Sequence, residues 1–138
     1  MIKSSNLQKL QENLKNKNID IFIINRTDEF LNEYIAPYAE RLKWLTNFSG
    51  SAGRAIIGQN TANLFVDGRY TFQAKEQIDG DVISLLHWND FSTELNKHFN
   101  KNKCVALDPK LHSIEEVNKI IELANKNETK LHFTNPNL

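Results

Sequence analysis

The first apolar positions of the chain recur at helical spacing and are followed by an unbroken apolar run. The spaced positions are Leu7, Leu10 and Leu14. Ser5-x-x-Gln8 has the pattern of a capping box, so we expect a helix to begin there and to end near Asn18. The run 19-IDIFII-24 is nearly all apolar and branched, which predicts a central strand that is covered on both faces of a sheet.

Two shorter apolar runs follow, and their spacing predicts a hairpin. Residues 54–58 and 62–67 have strand-like composition, and Gly58-Gln59-Asn60-Thr61 forms the predicted turn between them. Residues 27–43, before the hairpin, are mixed and polar, and we expect a loop with a short helical turn there. The residue types of 69–77 favour a helix.

The last part of the chain alternates predicted strands and helices. The strands cover residues 82–88, 103–108 and 130–133, and the helices begin at the capping residues Asp90 and Ser113. Their expected inward faces are Phe91, Leu95 and Phe99 in the first helix and Ile114, Val117, Ile120, Ile121 and Ala124 in the second. A hairpin followed by alternating units predicts an α/β fold with a mixed sheet and helices packed on it.

Charge and composition exclude several classes of function. Seventeen basic and seventeen acidic side chains cancel, whereas a nucleic-acid-binding protein normally shows a basic excess or stripe. No apolar run approaches the roughly 20 residues that span a bilayer, and the first residues lack the apolar core of a signal peptide. The one cysteine fits a reducing compartment. We therefore expect a cytoplasmic protein that binds neither nucleic acid nor membrane.

Common catalytic motifs are absent from the sequence. Residues 53–58 have the glycine spacing of a phosphate loop, but Gln59-Asn60 stand where Lys and Ser/Thr are required. Residues 48–53 lack the Gly-x-Ser-x-Gly of a hydrolase nucleophile, and we interpret their small side chains as permitting a tight turn and a close approach. Cys104 is expected to be a small buried hydrophobe. The histidines show no metal-ligand spacing and are expected at the surface or at strand ends: His87, His98, His112 and His132.

Two aspartates at predicted strand ends suggest a metal-dependent nuclease. Asp67 and Asp108 each follow a strand, and with Glu33 or Asp28 they could ligate Mg²⁺. Both are also ordinary turn residues. The balanced charge and the lack of a basic groove argue against the nuclease hypothesis.

Arg69 is the remaining candidate for a binding role. It directly follows Asp67-Gly68, where its planar guanidinium is suited to a ligand carboxylate or carbonyl. An internal contact with Asp67 or Glu76 is the alternative, and the residues alone do not decide between the two.

Several sequence blocks in the middle third of the chain occur in a characteristic order. They are 28-DE-29, 33-EYIAP-37, 40-ER-41, 44-WLTNFSGSAG-53 and 65-FVDGRYTFQA-74. In these blocks the chain resembles the N-terminal domain of the Xaa-Pro aminopeptidases (aminopeptidase P), in the three-domain branch of the creatinase/prolidase superfamily. The resemblance implies a mixed six-stranded sheet flanked by helices, with a ribonuclease-H-like arrangement.

The resemblance also implies an activity of the full-length protein. Such enzymes release the N-terminal residue from peptides with proline in second position, using two divalent metal ions, usually manganese, in a C-terminal catalytic domain. Nothing in residues 1–138 matches those metal ligands. We therefore expect a single N-terminal domain, cut at a domain boundary and inactive alone. Its expected partners are peptide substrates, its own catalytic domain and, in the full-length protein, a second copy.

Six residues acquire expected roles from the resemblance. Arg69 matches a substrate-contacting arginine, and Glu33 matches a carboxylate that binds the substrate α-ammonium group or braces Arg69. The expected supporting residues are Trp44, Phe48, Asp67 and Tyr70. Arg54 departs from the small or threonine-like residue that is common at its position, and its effect is left open. The leading hypothesis is a substrate-positioning domain, and the alternative is a stand-alone binding module of the same fold without peptidase activity.

Overall fold

The structure, a computed structural model, describes residues 2–26, 41–48, 53–108 and 112–133. The strands are β1 Ile21–Arg26, β2 Gly53–Gly58, β3 Ala62–Val66, β4 Ser84–His87, β5 Cys104–Leu107 and β6 Lys130–Phe133. The helices are α1 Ile2–Asn16, α2 Arg41–Thr46, α3 Thr71–Gln77, α4 Phe91–Asn96 and α5 Ile114–Lys126, with 3₁₀ turns at Gly68–Tyr70 and Trp88–Asp90. The predicted order of elements is confirmed, and the predicted strands agree with these bounds to within about two residues.

The strands form one mixed sheet in the order β4-β3-β2-β1-β5-β6. Strand β2 is antiparallel to β1 and β3, and the other neighbouring pairs are parallel. Strand β2 therefore begins at the edge of the sheet where the other strands end, which we term the carboxyl edge. The residues at this edge are Arg26, Gly53, Val66, His87, Leu107 and Phe133. Ligands of open α/β sheets usually bind at this edge.

Strand β1 lies between β2 and β5 and is covered on both faces, as its apolar run predicted. Phe22 and Ile24 belong to the core under α1, α2 and α3, whereas Ile21 and Ile23 belong to the core under α4 and α5. The predicted six-stranded mixed sheet flanked by helices is confirmed.

A hydrogen bond and a backbone angle confirm two of the predicted boundaries. The Gly58 N–H donates to the Thr61 carbonyl at 2.8 Å, which closes the predicted hairpin turn between β2 and β3. Asn18 has the left-handed backbone (φ 58°) that commonly follows a helix, and α1 ends two residues before it.

Three predictions about the helices need correction. Helix α1 begins at Ile2, so Ser5 lies inside it and is not its cap. Asp90 occupies the N-cap position of α4 but makes no capping side-chain hydrogen bond. In α5, Ile120 and Ala124 are buried as expected, whereas Ile114 is 83% exposed, because it is the first residue of α5, before the turns that pack on the sheet.

Candidate functional site

Strand β3 delivers Arg69 to the carboxyl edge of the sheet. The strand ends at Val66, and the next residue, Asp67, accepts a hydrogen bond from the Arg69 backbone N–H through its Oδ1 at 2.8 Å. This contact caps the 3₁₀ turn Gly68–Tyr70, which leads directly into α3. A short aspartate followed by glycine suits such a turn because its side chain can bond the backbone two residues on.

The Arg69 side chain is oriented by its neighbours but remains accessible. Its Nε donates to Asp67 Oδ1 at 3.2 Å, so the internal contact with Asp67 that the sequence left as an alternative is present. The guanidinium carbon lies 5.4 Å from the centroid of the Tyr70 ring. Because 75% of the Arg69 side chain is still exposed, Asp67 fixes its direction without burying it.

The same contacts act on the charge of Asp67. The backbone N–H of Arg69 is the largest cause that lowers the pKa of the Asp67 carboxyl, and the Arg69 side chain adds to it. His87 also lies near enough for a protonated ring to lower this pKa further. Asp67 is therefore ionised at neutral pH and pairs with the arginine.

Two of the predicted supporting residues, Phe48 and Tyr70, contact each other at this turn. Phe48 is fully buried, and its ring meets the Tyr70 ring edge to face at 5.9 Å. Gly53 allows the close approach expected of it, since an added Cβ would lie 2.9 Å from Leu42 Cδ2 and 3.1 Å from Phe48 Cε2. Trp44, by contrast, is 47% exposed on α2.

Some predicted residues fall where the structure gives no account. Glu33, the second predicted substrate-binding residue, lies outside the described residues, and so does Asp28. Most of the small-residue turn, 49–52, also lies outside them. Their expected roles stay predictions.

A second polar cluster, centred on Arg54, lies on the α4 and α5 face of the sheet. The Arg54 Nη1 lies 3.1 Å from Glu116 Oε2, and Glu116 Oε1 lies 2.9 Å from His112 Nδ1. The Arg54 guanidinium carbon also sits 4.9 Å from the Trp88 ring centroid and 4.7 Å from that of Phe91. The cluster joins the start of β2 to the segments that lead into α4 and α5.

Burial and charge oppose each other in this cluster. Burial raises the pKa of the Glu116 carboxyl, but the hydrogen bond from His112 and the charge of Arg54 outweigh it, so the net pKa is lowered. Glu116 is therefore ionised at neutral pH and neutralises Arg54. Within the described residues, Arg54 Nε and His112 Nε2 are buried and have no hydrogen-bond partner.

The expectation that all histidines lie at the surface or at strand ends is wrong for His112. Its side chain is fully buried, whereas His87 and His132 are exposed on edge strands, as expected. The spacing of His112 and Glu116, four residues apart at the start of a predicted helix, was the signal in the sequence that could have suggested their contact.

The remaining histidine and the cysteine are only partly enclosed. His98 is half-buried, and burial lowers its pKa. Cys104 is also only partly buried, less than predicted, and burial raises the pKa of its thiol. This shift is the opposite of the lowered thiol pKa that marks a reactive cysteine.

The topology separates the two aspartates of the nuclease hypothesis. Asp67 follows β3 and Asp108 follows β5, and strands β2 and β1 lie between them. Three interstrand spacings put them roughly 14 Å apart, too far to share one ion. In the part of the chain that the structure describes, no group of three or more His, Cys, Asp or Glu could hold a metal.

Comparison with known proteins identifies the family. The model of the Creatinase/Prolidase N-terminal domain matches residues 6–134. The chain belongs to this family. Two curated relatives, each named "Probable Xaa-Pro aminopeptidase P", come from Penicillium rubens and Aspergillus oryzae. They are 34% and 32% identical to this chain over 142 residues, which cover 98% of it.

This creatinase/prolidase domain is much shorter than those relatives. It spans 23% and 21% of their respective lengths, between a fifth and a quarter. Within the described residues, no helix has the length and apolarity needed to cross a membrane.

Solved structures share the fold of the domain. An X-prolyl aminopeptidase from Caenorhabditis elegans, described as a cytosolic enzyme with a di-nuclear active site, aligns with a TM-score of 0.79 at 23% identity. The alignment covers 95% of this chain and 24% of the enzyme. The N-terminal domain of the cytoplasmic peptidase PepQ from Mycobacterium tuberculosis aligns with a TM-score of 0.70 at 17% identity. This alignment covers 95% of this chain and 93% of the PepQ domain.

Proposed function

We propose that this chain is the non-catalytic N-terminal domain of a metal-dependent Xaa-Pro aminopeptidase and that it positions the peptide substrate. The full-length enzyme releases the N-terminal residue from peptides with proline in second position. Family membership and the names of the curated relatives support the reaction class. The geometry around Arg69 supports the positioning role.

Arg69 is the observation that carries the proposal. Its guanidinium is a fork of donors suited to a carbonyl or carboxylate oxygen of a peptide. Because Asp67 holds the Arg69 backbone N–H at 2.8 Å and the side-chain Nε at 3.2 Å, the side chain loses less conformational entropy when a ligand binds. Its side chain is 75% exposed, so a ligand at the carboxyl edge can contact it. Glu33 completes the proposed site, by binding the substrate α-ammonium group or by bracing Arg69.

The hydrolysis itself belongs to a catalytic domain outside residues 1–138. In this proposal two divalent metal ions, with manganese as the expected element, lie in that domain. The 138-residue chain alone is then inactive towards Xaa-Pro peptides. The full-length protein is cytoplasmic and forms a homodimer in this proposal.

Arg69→Ala in the full-length enzyme tests the proposal. We expect kcat/KM for an Xaa-Pro peptide to fall at least about tenfold, the loss of one charged contact of about 1.5 kcal/mol. Arg69→Lys keeps the charge but not the forked donors of the guanidinium, so its kcat/KM should fall less. Lys75→Ala, which removes an exposed cation from α3, is the matched control and should leave the rate unchanged.

Two results would contradict the proposal. Turnover by Arg69→Ala equal to that of the wild type would remove Arg69 from the substrate site. Metal-dependent hydrolysis of an Xaa-Pro peptide by the 138-residue chain alone would show that the domain is catalytic. A coding sequence that stops after Leu138 would favour the alternative, a stand-alone binding module.

A further inference from the structure

His87 lies beside the Asp67–Arg69 pair on the neighbouring strand. We propose that His87 is a second substrate-contacting residue of the Arg69 site and that its Nε2–H donates a hydrogen bond to an acceptor oxygen of the bound peptide. This inference rests on the proposed function. It assigns a role to a residue that the sequence indicated only as a strand-end histidine.

The register of the sheet places the two groups together. Strands β3 and β4 are parallel, and Val66 pairs with His87. Neighbouring strands are about 4.8 Å apart, so the backbone that leads from Val66 to Asp67 lies beside His87. A Coulombic interaction between Asp67 and His87 agrees with this placement. Asp67 directly follows Val66, and its hydrogen bonds hold Arg69 at this point of the carboxyl edge.

A backbone hydrogen bond sets the tautomer of the His87 ring. The Asn89 N–H donates to His87 Nδ1 at 3.1 Å, so Nδ1 is the acceptor and the neutral ring carries its proton on Nε2. The residue is exposed. The ring is therefore held in one orientation and presents a donor before any ligand arrives, which lowers the entropy lost on binding.

The Arg54 cluster supports the turn that supplies this backbone donor. Asn89 belongs to the 3₁₀ turn Trp88–Asp90, and the Trp88 ring lies 4.9 Å from the guanidinium carbon of Arg54. Arg54 is in turn anchored to Glu116 at 3.1 Å. The contacts thus run from α5 through Arg54 and Trp88 to the turn that fixes His87.

The three side chains form a consistent ligand site. Arg69 supplies a cation and His87 an Nε2–H donor, while Asp67 accepts from Arg69 and orients it. Two neighbouring donors suit the lone pairs of a carbonyl or carboxylate oxygen. Peptides carry such oxygens at every residue, so the ligand class agrees with a peptide substrate.

Steady-state kinetics of the full-length enzyme test the role of His87. We expect His87→Ala to raise KM for an Xaa-Pro peptide about three- to tenfold, the effect of one lost neutral hydrogen bond, with kcat changed less than about twofold. His87→Gln should retain most of the affinity, because its amide N–H reaches a position near that of Nε2–H. His132→Ala, the loss of an exposed histidine on the opposite edge strand β6, is the matched control.

The outcomes separate this inference from the proposed function. If His87→Ala has the KM of the wild type while Arg69→Ala shows a large loss of kcat/KM, the inference is overturned and the proposed function stays intact. If both variants behave as wild type, both ideas fail.

A spectroscopic measurement checks the same residue without any activity. In the 138-residue chain, imidazole ¹⁵N shifts of neutral His87 should report a protonated Nε2 and an unprotonated Nδ1. The opposite tautomer would overturn the proposed donor. A shared melting temperature of His87→Ala and His132→Ala would show that the change in KM is not a consequence of lost stability.

Discussion

Replacing Glu116 by Gln in the 138-residue chain tests whether the Arg54 cluster stabilises the fold. The carboxylate of Glu116 pairs with Arg54 at 3.1 Å and with His112 Nδ1 at 2.9 Å, and only 19% of the Arg54 side chain and 16% of the Glu116 side chain are exposed. The substitution keeps the size of the side chain and removes its charge. Arg54 then remains a cation between two aromatic rings without its counter-ion.

The expected cost follows from this geometry. Removing one partner of a buried ion pair costs about 3–5 kcal/mol. Residual exposure lets water reach part of the guanidinium, and Gln keeps an acceptor oxygen for one of the two donors. We therefore expect the free energy of unfolding to fall by about 2 kcal/mol. For a domain of this size the melting temperature should drop by roughly 8 °C.

The pH dependence gives an independent check. The pKa of Glu116 in the folded state lies below its ordinary value of 4.5. A group with a depressed folded pKa contributes stability that is present above the unfolded pKa and is lost as the pH falls through the folded pKa. The difference in the free energy of unfolding between wild type and Glu116→Gln should therefore have its full value at about pH 7 and shrink below about pH 4.5.

Urea unfolding followed by circular dichroism measures these differences. Glu115→Gln is the matched control, because Glu115 is 81% exposed and pairs only at the surface, with Lys119 at 3.5 Å. Glu115→Gln should lower the free energy of unfolding by less than about 0.5 kcal/mol. Arg54→Met combined with Glu116→Gln should cost less than the sum of the single changes, since no charge is left stranded. Equal stability of the Glu115 and Glu116 variants at neutral pH, or a difference that does not change with acid, would refute this reasoning.

Two further predictions concern stability. Gly53→Ala should lower the free energy of unfolding by about 1–3 kcal/mol, because the added Cβ would press on Leu42 and Phe48. Gly68→Ala, whose Cβ would meet nothing within 4 Å, is the control, and equal urea midpoints of the two variants would contradict the prediction. Ser113→Ala should cost about 1 kcal/mol by removing the N-cap hydrogen bond of α5, whereas Ser113→Thr should keep most of it. Equal stability of these two Ser113 variants would show that the cap contributes little.

The order of elements was predictable because it depends on local signals. The unbroken apolar run of β1 indicated a strand covered on both faces, and it lies between β2 and β5 with side chains in both cores. The turn at 58–61 and the hydroxyl of Ser113 likewise act on residues at most three positions away. Ile114 shows the limit of such signals, since helical periodicity cannot tell how far along a helix the covering sheet extends.

The Asp67–Arg69 pair and the Arg54 cluster differ in the same respect, since one contact is local in the sequence and the other is not. The contact between Asp67 and Arg69 spans two residues, so the sequence alone offered it as an alternative. Arg54 and Glu116 are distant in the chain, and only the assembled sheet brings them together. No periodicity or local motif reports such a pair, which is why Arg54 was recognised in the sequence only as an unexplained charge.

The cost of burying Arg54 explains why its surroundings are so specific. A mostly buried guanidinium needs both a counter-ion and contacts for its flat faces. Glu116 supplies the charge, while Trp88 and Phe91 lie 4.9 Å and 4.7 Å from the guanidinium carbon. These partners come from the segments that follow β4 and β5, so a single side chain of β2 couples them. A small residue at position 54 could not make that connection, and the turn that orients His87 would lose its support from α5.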